Sequence, residues 1–157
     1  MRPSIVVDRT IASFLMHWLV LEKECPVDVV RQEFSPRLVT APYYEDGEVV
    51  IYDHNTLVQF LQERYPGIQL MPADPIHRAQ IRQACAMVLE NNLDMMAELD
   101  EILATGSPWA AGKEFSLLDI YIGTWLSEYV MKHDLTARVA QYWKRISSRP
   151  AFRIVDS

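Results

Sequence analysis

The side chains of this sequence that could act as nucleophiles, redox centres or metal ligands are few and widely spaced. The two cysteines, Cys25 and Cys85, form neither a CxxC pair nor a zinc-binding spacing, and Cys85 lies on an apolar helical stripe typical of a packed thiol. His17, His77 and His133 have no second ligand at a metal-binding spacing. The sequence therefore indicates neither a disulfide framework nor a metal site, and a reducing cytoplasm is the simplest location.

Hydroxyl and carboxylate side chains are better placed, because they stand at the starts of two predicted helices. Thr10 precedes an apolar run that ends near Glu24, and Asp53 precedes Leu57, where a second apolar helical stripe begins. A short polar side chain in front of such a run accepts a hydrogen bond from a free backbone N–H group of the first turn. Both residues are therefore predicted N-caps.

Strand patterns alternate with these two helices in the first 66 residues. A β-branched run at residues 5–7 predicts a buried strand, and Val27–Val30 predicts another after the first helix, which gives a β-α-β unit. Asp46-Gly47 lies between two strand-like flanks and predicts an antiparallel hairpin. The second helix follows it and ends at Pro66-Gly67, so the expected order is β-α-β-β-α.

A proline-rich stretch separates this part from the remainder, in which no strand pattern recurs. The predicted domains are residues 1–66 and residues 76–157, joined by a linker at 67–75. The second domain is expected to be entirely helical. Its first predicted element is one long helix that opens at Asp74-Pro75 and runs through Ile102. A second helix starts at Ser116 and Asp119, which are a near match to a capping box. A last helix is predicted over residues 135–148 and ends before Arg149-Pro150.

The charge balance excludes several classes of partner. The 157 residues carry 15 Lys and Arg against 21 Asp and Glu, a net charge of -6, so direct nucleic-acid binding is not expected. The most apolar early run, residues 11–21, is about half of the ~20 residues that a membrane helix needs, so no membrane association is expected.

Four stretches of residues 42–157 carry a resemblance to a known family. They are Pro42 to Tyr65, which ends in LVQFLQERY; Leu70-Met71-Pro72 with Asp74-Pro75 and Arg78; EFSLLDIY at residues 114–121; and Trp143 with Arg149-Pro150-Ala151-Phe152. Together with the order of elements, they resemble the glutathione transferase superfamily. The resemblance implies an α/β plus all-α architecture, with an abbreviated thioredoxin-like N-terminal domain followed by a helical C-terminal domain.

The same resemblance implies a site for glutathione, beginning with a group that stabilises its thiolate near the start of the first helix. Thr10 and Ser13 are the matching catalytic candidates. The residues that usually surround such a group are replaced here by Asp8-Arg9-Thr10-Ile11-Ala12, which makes the thiol site degenerate. The alternative is that Thr10 serves only as an N-cap.

Two further positions of the family's glutathione site match this sequence. A cis proline at Pro42 would present the backbone of Ala41 to the ligand, the alternative being a trans proline at the start of an edge strand. At the next helix the family places an acidic or amide residue followed by serine, and here the pair is Asp53-His54. Asp53 would bind the γ-glutamyl amine, and His54 would replace the serine as a hydrogen-bond donor. The alternative is that Asp53 is only the N-cap of this helix and His54 an exposed residue of its first turn.

The chain also looks short for this family. Residues 31–39 leave too little room for the helix that usually follows the second strand, and no room is expected for the second of two paired helices before Ser116. Such losses would expose apolar faces, which a homodimer would cover.

Two functions follow from the resemblance. Leu70-Met71-Pro72 and EFSLLDIY are similar to the stringent starvation protein A family of RNA polymerase-associated regulators, which implies a non-catalytic role in the stress response and in transcription regulation. The linker lacks that family's Pro-His-Pro motif. The alternative is a functional glutathione transferase that conjugates glutathione to a small electrophile, and a third reading is a purely structural dimer subunit.

Overall fold

Four short strands form one mixed sheet in the N-terminal part of the chain. The computed structural model describes residues 2–33, 39–90 and 95–157. The strands are β1 (Ser4–Val7), β2 (Asp28–Arg31), β3 (Tyr43–Asp46) and β4 (Val49–Ile51), in the spatial order β2-β1-β3-β4. Strand β1 pairs in parallel with β2 and antiparallel with β3, which in turn pairs antiparallel with β4.

Burial of β-branched side chains explains why β1 lies inside the sheet. Ile5, Val6 and Val7 are 0–2% exposed, so both faces of the strand are covered. Helix α1 (Ile11–Glu22) connects β1 to β2, and helix α2 (His54–Arg64) follows β4. The β-α-β-β-α order expected from the sequence is confirmed, as is the hairpin, in which Gly47 takes a φ of 62° that favours glycine.

The described chain divides into two compact units. The N-terminal unit comprises residues 1–69 with residues 154–157, and the helical unit comprises residues 70–153. Helices α3 (Pro75–Leu89), α4 (Met95–Leu103), α5 (Leu117–Tyr129) and α6 (Ala137–Ser147) belong to the helical unit, and α7 (Pro150–Asp156) follows them. Helix α5 packs against α3 and α6, and nearly every residue of its first ten is buried.

A buried carboxylate accepts hydrogen bonds from the start of α5, from the loop before it and from α6. Asp119, which is 0% exposed, accepts hydrogen bonds from the Ala110 backbone N–H at 2.8 Å, the Ser116 backbone N–H at 2.9 Å and the Tyr142 hydroxyl at 2.7 Å. The bond from Ser116 is the reciprocal half of a capping box. Burial raises the pKa of Asp119, and these three hydrogen bonds oppose that rise.

Two helix predictions for the second half were wrong. The single long helix is two helices, α3 and α4, and residues 91–94 between them lie outside the described residues. The apolar spacing continues through both helices, so periodicity alone could not separate them. Helix α4 also overturns the expectation that no second helix precedes Ser116. The other segment expected to be too short, 31–39, lies partly outside the described residues, at 34–38.

A third helix was not predicted. Pro150 was expected only to end the preceding helix, but it begins the short helix α7. Among the helices of the described residues, none is both long and apolar enough to cross a membrane.

Candidate functional site at the helix-start edge

The register of the sheet brings three sequence-predicted positions to one edge. Strand β1 pairs Val6 with Tyr43, so the residues after β1 stand beside those before β3. Strand β4 ends level with the same place, because Ile51 pairs with Tyr44. We call residues 8–13, 41–42 and 53–56 the helix-start edge, since α1 and α2 both begin there.

Asp8 is the hydrogen-bonding centre of the first of these segments. Its Oδ1 accepts from the Thr10 backbone N–H at 2.9 Å, the Thr10 hydroxyl at 2.6 Å and the Ser13 hydroxyl at 2.8 Å. The Asp8 backbone N–H in turn donates to the Ser13 Oγ at 3.0 Å, and the Ser13 N–H donates to the Thr10 Oγ1 at 3.3 Å. Thr10 is therefore the N-cap of α1, as its sequence position predicts.

These contacts determine what the two predicted catalytic hydroxyls can do. Each hydroxyl has one proton, and in both Thr10 and Ser13 that proton is donated to Asp8. Thr10 is exposed, whereas Ser13 is only 1% exposed and faces the interior. In this conformation neither hydroxyl has a proton left to donate to a sulfur atom.

The charge on Asp8 is fixed by the same contacts. Partial burial raises its pKa, but the hydrogen bonds from Thr10 and Ser13 lower it by more, so the pKa of Asp8 lies below its ordinary value. Asp8 is ionised at neutral pH. The positive end of the α1 dipole thus already has a carboxylate next to it.

The second segment of the edge is the peptide that leads into β3. The Ala41–Pro42 bond is cis, as expected from the resemblance. Pro42 precedes an inner strand of the sheet, because β3 lies between β1 and β4, so the alternative of an edge-strand proline is wrong. The role of Ala41 as a backbone contact for a ligand stays a prediction.

The third segment is the start of α2, where Asp53 is the N-cap. Its Oδ2 accepts from the Thr56 backbone N–H at 3.0 Å and from the Thr56 hydroxyl at 2.7 Å. The Thr56 hydroxyl lowers the pKa of Asp53, which is exposed and ionised at neutral pH. Burial lowers the pKa of His54, and the Asp53 carboxylate offsets part of this shift. The imidazole is therefore neutral near pH 7 and carries a single N–H group.

The remaining candidates lie away from this cluster or are held by other contacts. Burial raises the pKa of Cys25 to about 11 and that of Cys85 to about 12, so both are thiols at neutral pH, and Cys85 is buried as expected. His77 Nδ1 lies 3.0 Å from the Asp74 carboxylate, and the His133 ring stacks on Tyr129. Within the described part of the chain, no three metal-ligating side chains come together.

Two residues of the edge had no role in the sequence analysis. Asp8 was noted only as a departure from the family pattern, and Thr56 was not considered. The signals were present, since Asp-x-Thr before a helix is a side-chain-to-backbone motif and Asp53-x-x-Thr56 places a hydroxyl at the third helical position. Both acids belong to the helix-start edge, where Arg9 is paired with Glu33 at 3.0 Å.

No family model matches the sequence. Among curated proteins, the chain is similar to the stringent starvation protein A homolog of Pasteurella multocida, with 27% identity over 104 residues that cover 53% of this chain and 49% of that protein. The chain thus spans about half the length of the curated relative it matches.

Among solved structures, the fold is similar to that of a glutathione S-transferase from the Antarctic clam Laternula elliptica. The TM-score is 0.86 at 16% identity, over 99% of this chain and 92% of the other. A glutathione S-transferase from Methylobacterium radiotolerans, solved in complex with glutathione sulfonate, has a TM-score of 0.78 at 19% identity, over 99% and 94% of the two chains. The predicted resemblance is confirmed for the fold: a thioredoxin-like part followed by a helical part.

Proposed function

We propose that this chain is a non-catalytic binding protein of the glutathione transferase superfamily, similar to stringent starvation protein A. The observation that carries the proposal is the Asp8 carboxylate, to which both candidate catalytic hydroxyls donate. RNA polymerase is the proposed partner, on the basis of the similarity to the Pasteurella multocida protein.

The electrostatics of the edge argue against activation of a thiol there. A thiolate is stabilised by free donors and by the positive end of a helix dipole. Here Thr10 and Ser13 donate to Asp8, and the negative charge of Asp8 would raise the pKa of a thiol placed beside it. The arrangement therefore disfavours the ionisation that a transferase requires.

Conjugation of glutathione to an aryl halide tests the absence of catalysis. We expect a rate equal to that of the uncatalysed reaction for the wild-type chain. Conjugation by the wild type that is faster than the uncatalysed reaction would reject the proposal if the Thr10→Ala, Ser13→Ala double variant loses this rate and Ser127→Ala, a hydroxyl deletion in the helical unit, keeps it. If the double variant also conjugates faster than the uncatalysed reaction, both the proposal and the assignment of these two residues as catalytic groups are rejected.

The partner is tested separately, by co-sedimentation with purified bacterial RNA polymerase. We expect the wild-type chain to migrate with the polymerase and an unrelated acidic protein of equal size to migrate alone. Absence of co-migration at micromolar concentrations of both would remove RNA polymerase as the partner while leaving the non-catalytic assignment in place.

Glutathione binding without catalysis is the second candidate function. It is favoured by the likeness in fold to a transferase solved with glutathione sulfonate and by the exposed, ionised Asp53 at the start of α2. In this mode of binding, Asp53 would contact the γ-glutamyl ammonium group, and His54 and the Ala41 backbone would supply further contacts. Calorimetric titration with glutathione is expected to show binding that Asp53→Ala weakens, and no heat of binding would exclude this function.

A homodimer is also proposed, because α3 exposes uncharged side chains on one side. Ile76 and Met87, three helical turns apart, are 69% and 40% exposed, and the exposed Gln83 lies between them. Sedimentation equilibrium is expected to give a dimer that Ile76→Glu dissociates. A monomeric wild type, or a dimer unaffected by Ile76→Glu, would contradict the proposed interface.

A further inference from the structure

The two outer strands of the sheet differ in the charge that they carry. Strand β2 lies at one side and contains Asp28 and Arg31, and the Asp28 carboxylate lies 3.4 Å from Arg2. Charged side chains on an outer strand oppose pairing with another chain. Strand β4 lies at the other side, and its residues Val49–Ile51 include neither a charged residue nor a proline. Of the two outer strands, β4 is therefore better suited to accept a further strand.

The register of the hairpin determines which backbone groups of β4 point outward. Asp46 pairs with Val49 across the two-residue turn Gly47-Glu48. Such a turn closes on a hydrogen-bonded pair, and bonded and non-bonded pairs alternate along an antiparallel ladder. Val50, one residue further, therefore directs its N–H and C=O groups away from β3. Among the described residues, β3 is the only strand that pairs with β4.

Apolar side chains are exposed next to these backbone groups. Val49 is 55% exposed and Tyr52 is 62% exposed. Because side chains alternate between the faces of a strand, Val49 and Tyr52 lie on opposite faces. The backbone is still extended at Asp53, where φ is -66° and ψ is 130°. We refer to residues 49–52 as the β4 edge, which offers apolar surface on both faces of an added strand.

The chain around the β4 edge is strongly acidic. Residues 39–63 contain five Asp and Glu residues and no Lys or Arg, a charge of -5. Asp46 and Glu48 at the turn are exposed, and neither forms an ion pair with a cation of the described residues. The next cation along the chain is Arg64, whose guanidinium carbon lies 5.1 Å from the centroid of the Tyr65 ring. With Arg64 included, the stretch still carries -4.

We propose that the β4 edge binds an extended segment of a partner protein, in which apolar residues alternate and Lys or Arg stands at the ends. The backbone of this segment pairs with Val50, and its apolar side chains contact Val49 and Tyr52. Its basic side chain at the turn end pairs with Asp46 and Glu48. The inference goes beyond the proposed function, because it requires binding of neither glutathione nor RNA polymerase.

The charge of the same stretch argues against a second copy of this chain as the occupant. Pairing of two β4 edges would bring together two stretches that each carry -5. Like charges on adjacent strands destabilise their pairing, whereas a basic segment meets charge of the opposite sign. Charge complementarity therefore favours a basic strand from another protein.

Fluorescence anisotropy with a labelled heptapeptide tests the proposal in the full chain. The peptide alternates valine and threonine and has lysine at both ends. We expect saturable binding at 50 mM salt that weakens as salt rises, and a loss of about fivefold in affinity for Glu48→Lys, since an exposed ion pair contributes a few-fold. Glu63→Lys, a reversal of an exposed charge on α2, changes the net charge equally and is the matched control. It is expected to bind the peptide like the wild type.

Pairing through the backbone is tested separately from charge. Two peptides of the same sequence carry N-methyl groups along one edge or along the other, which leaves their charge unchanged. We expect one of them to lose binding and the other to keep it, because only one edge of an added strand faces β4. Val50→Pro removes the outward N–H and is also expected to weaken binding, since proline is tolerated where the N–H of an outer strand faces solvent. Far-UV circular dichroism checks that the variants are folded.

Four results would overturn the proposal. The first is no saturable peptide binding at 50 mM salt. The second is an equal loss of affinity in Glu63→Lys, which would show a response to net charge alone. The third is undiminished binding of both N-methylated peptides, which would exclude backbone pairing. The fourth is a wild-type dimer in sedimentation equilibrium that Val50→Pro dissociates, which would assign the β4 edge to a second copy of the chain.

Discussion

Replacing Asp119 by alanine provides the most direct test of how the helical unit is held together. The substitution removes the acceptor of hydrogen bonds from the Ser116 backbone N–H and the Tyr142 hydroxyl, both buried, and from the partly buried Ala110 N–H. A buried donor without an acceptor costs about 1–3 kcal/mol. Water can reach Ala110, and the carboxylate no longer has to be desolvated, which offsets part of the loss.

We therefore expect Asp119→Ala to lower the free energy of unfolding by about 3 kcal/mol, a large share of the roughly 5–15 kcal/mol of a typical domain. For a chain of this size that corresponds to a decrease in Tm of roughly 6–12 °C. Urea denaturation followed by circular dichroism measures the first quantity and thermal melting the second. Tyr142→Phe removes one of these hydrogen bonds and should cost about 1 kcal/mol.

Asp100→Ala is the matched control, because it deletes a carboxylate of the same unit that accepts from the Thr136 hydroxyl at 2.6 Å and from Arg138 at 3.2 Å. Those two donors are exposed to water, so the expected cost is below about 1 kcal/mol. Equal urea midpoints for Asp119→Ala and Asp100→Ala would refute the argument that burial of the donors sets the magnitude.

Three further predictions concern the N-terminal unit and the cysteines. The pKa of Asp8 is lowered in the folded chain, so the ionised carboxylate stabilises the fold above about pH 4, and this contribution is lost as the pH falls further. The Asp8→Asn variant should therefore have a urea midpoint further below that of the wild type at pH 6 than at pH 3, and an equal difference at the two pH values would contradict this. Since the pKa of Cys25 is about 11 and that of Cys85 about 12, iodoacetamide at pH 7.5 should leave both unmodified by mass spectrometry until urea is added, and rapid labelling of the native chain would show that they are accessible thiolates. Lys23 is 4% exposed and donates to the Ile68 carbonyl at 2.6 Å, so Lys23→Met should cost about 1–2 kcal/mol in urea denaturation, and an unchanged midpoint would mean that water replaces the ammonium.

The sequence predicted the elements whose signals are local. Caps at Thr10, Asp53 and Asp74 identified helix starts, because a short side chain that accepts from the first turn leaves a recognisable pattern. The end of α3 was missed, because Val88 and Leu99 continue one apolar spacing across two helices, and only the unfavourable pair Asn91-Asn92 interrupts it.

The sequence predicted the helix caps of the helix-start edge but not its hydrogen bonds. The segments that contain Thr10, Pro42 and Asp53 meet at one edge because of the observed strand order and register, which the order of elements along the chain does not determine by itself. The direction of a hydroxyl proton does not follow from such a pattern. It depends on the side-chain geometry of Asp8, which accepts a hydrogen bond from each of the two hydroxyls.

The connection between β2 and β3 has a consequence for how this fold can vary. Eleven residues, 32–42, join the two strands, and their ends are fixed by pairing with β1 on either side. Doubling the number of residues between two fixed ends adds only about 0.6 kcal/mol of closure entropy. Connections of different lengths between β2 and β3 are therefore compatible with one sheet. For protein engineering, the same entropy argument predicts that an affinity tag inserted between β2 and β3 leaves the register of the sheet unchanged.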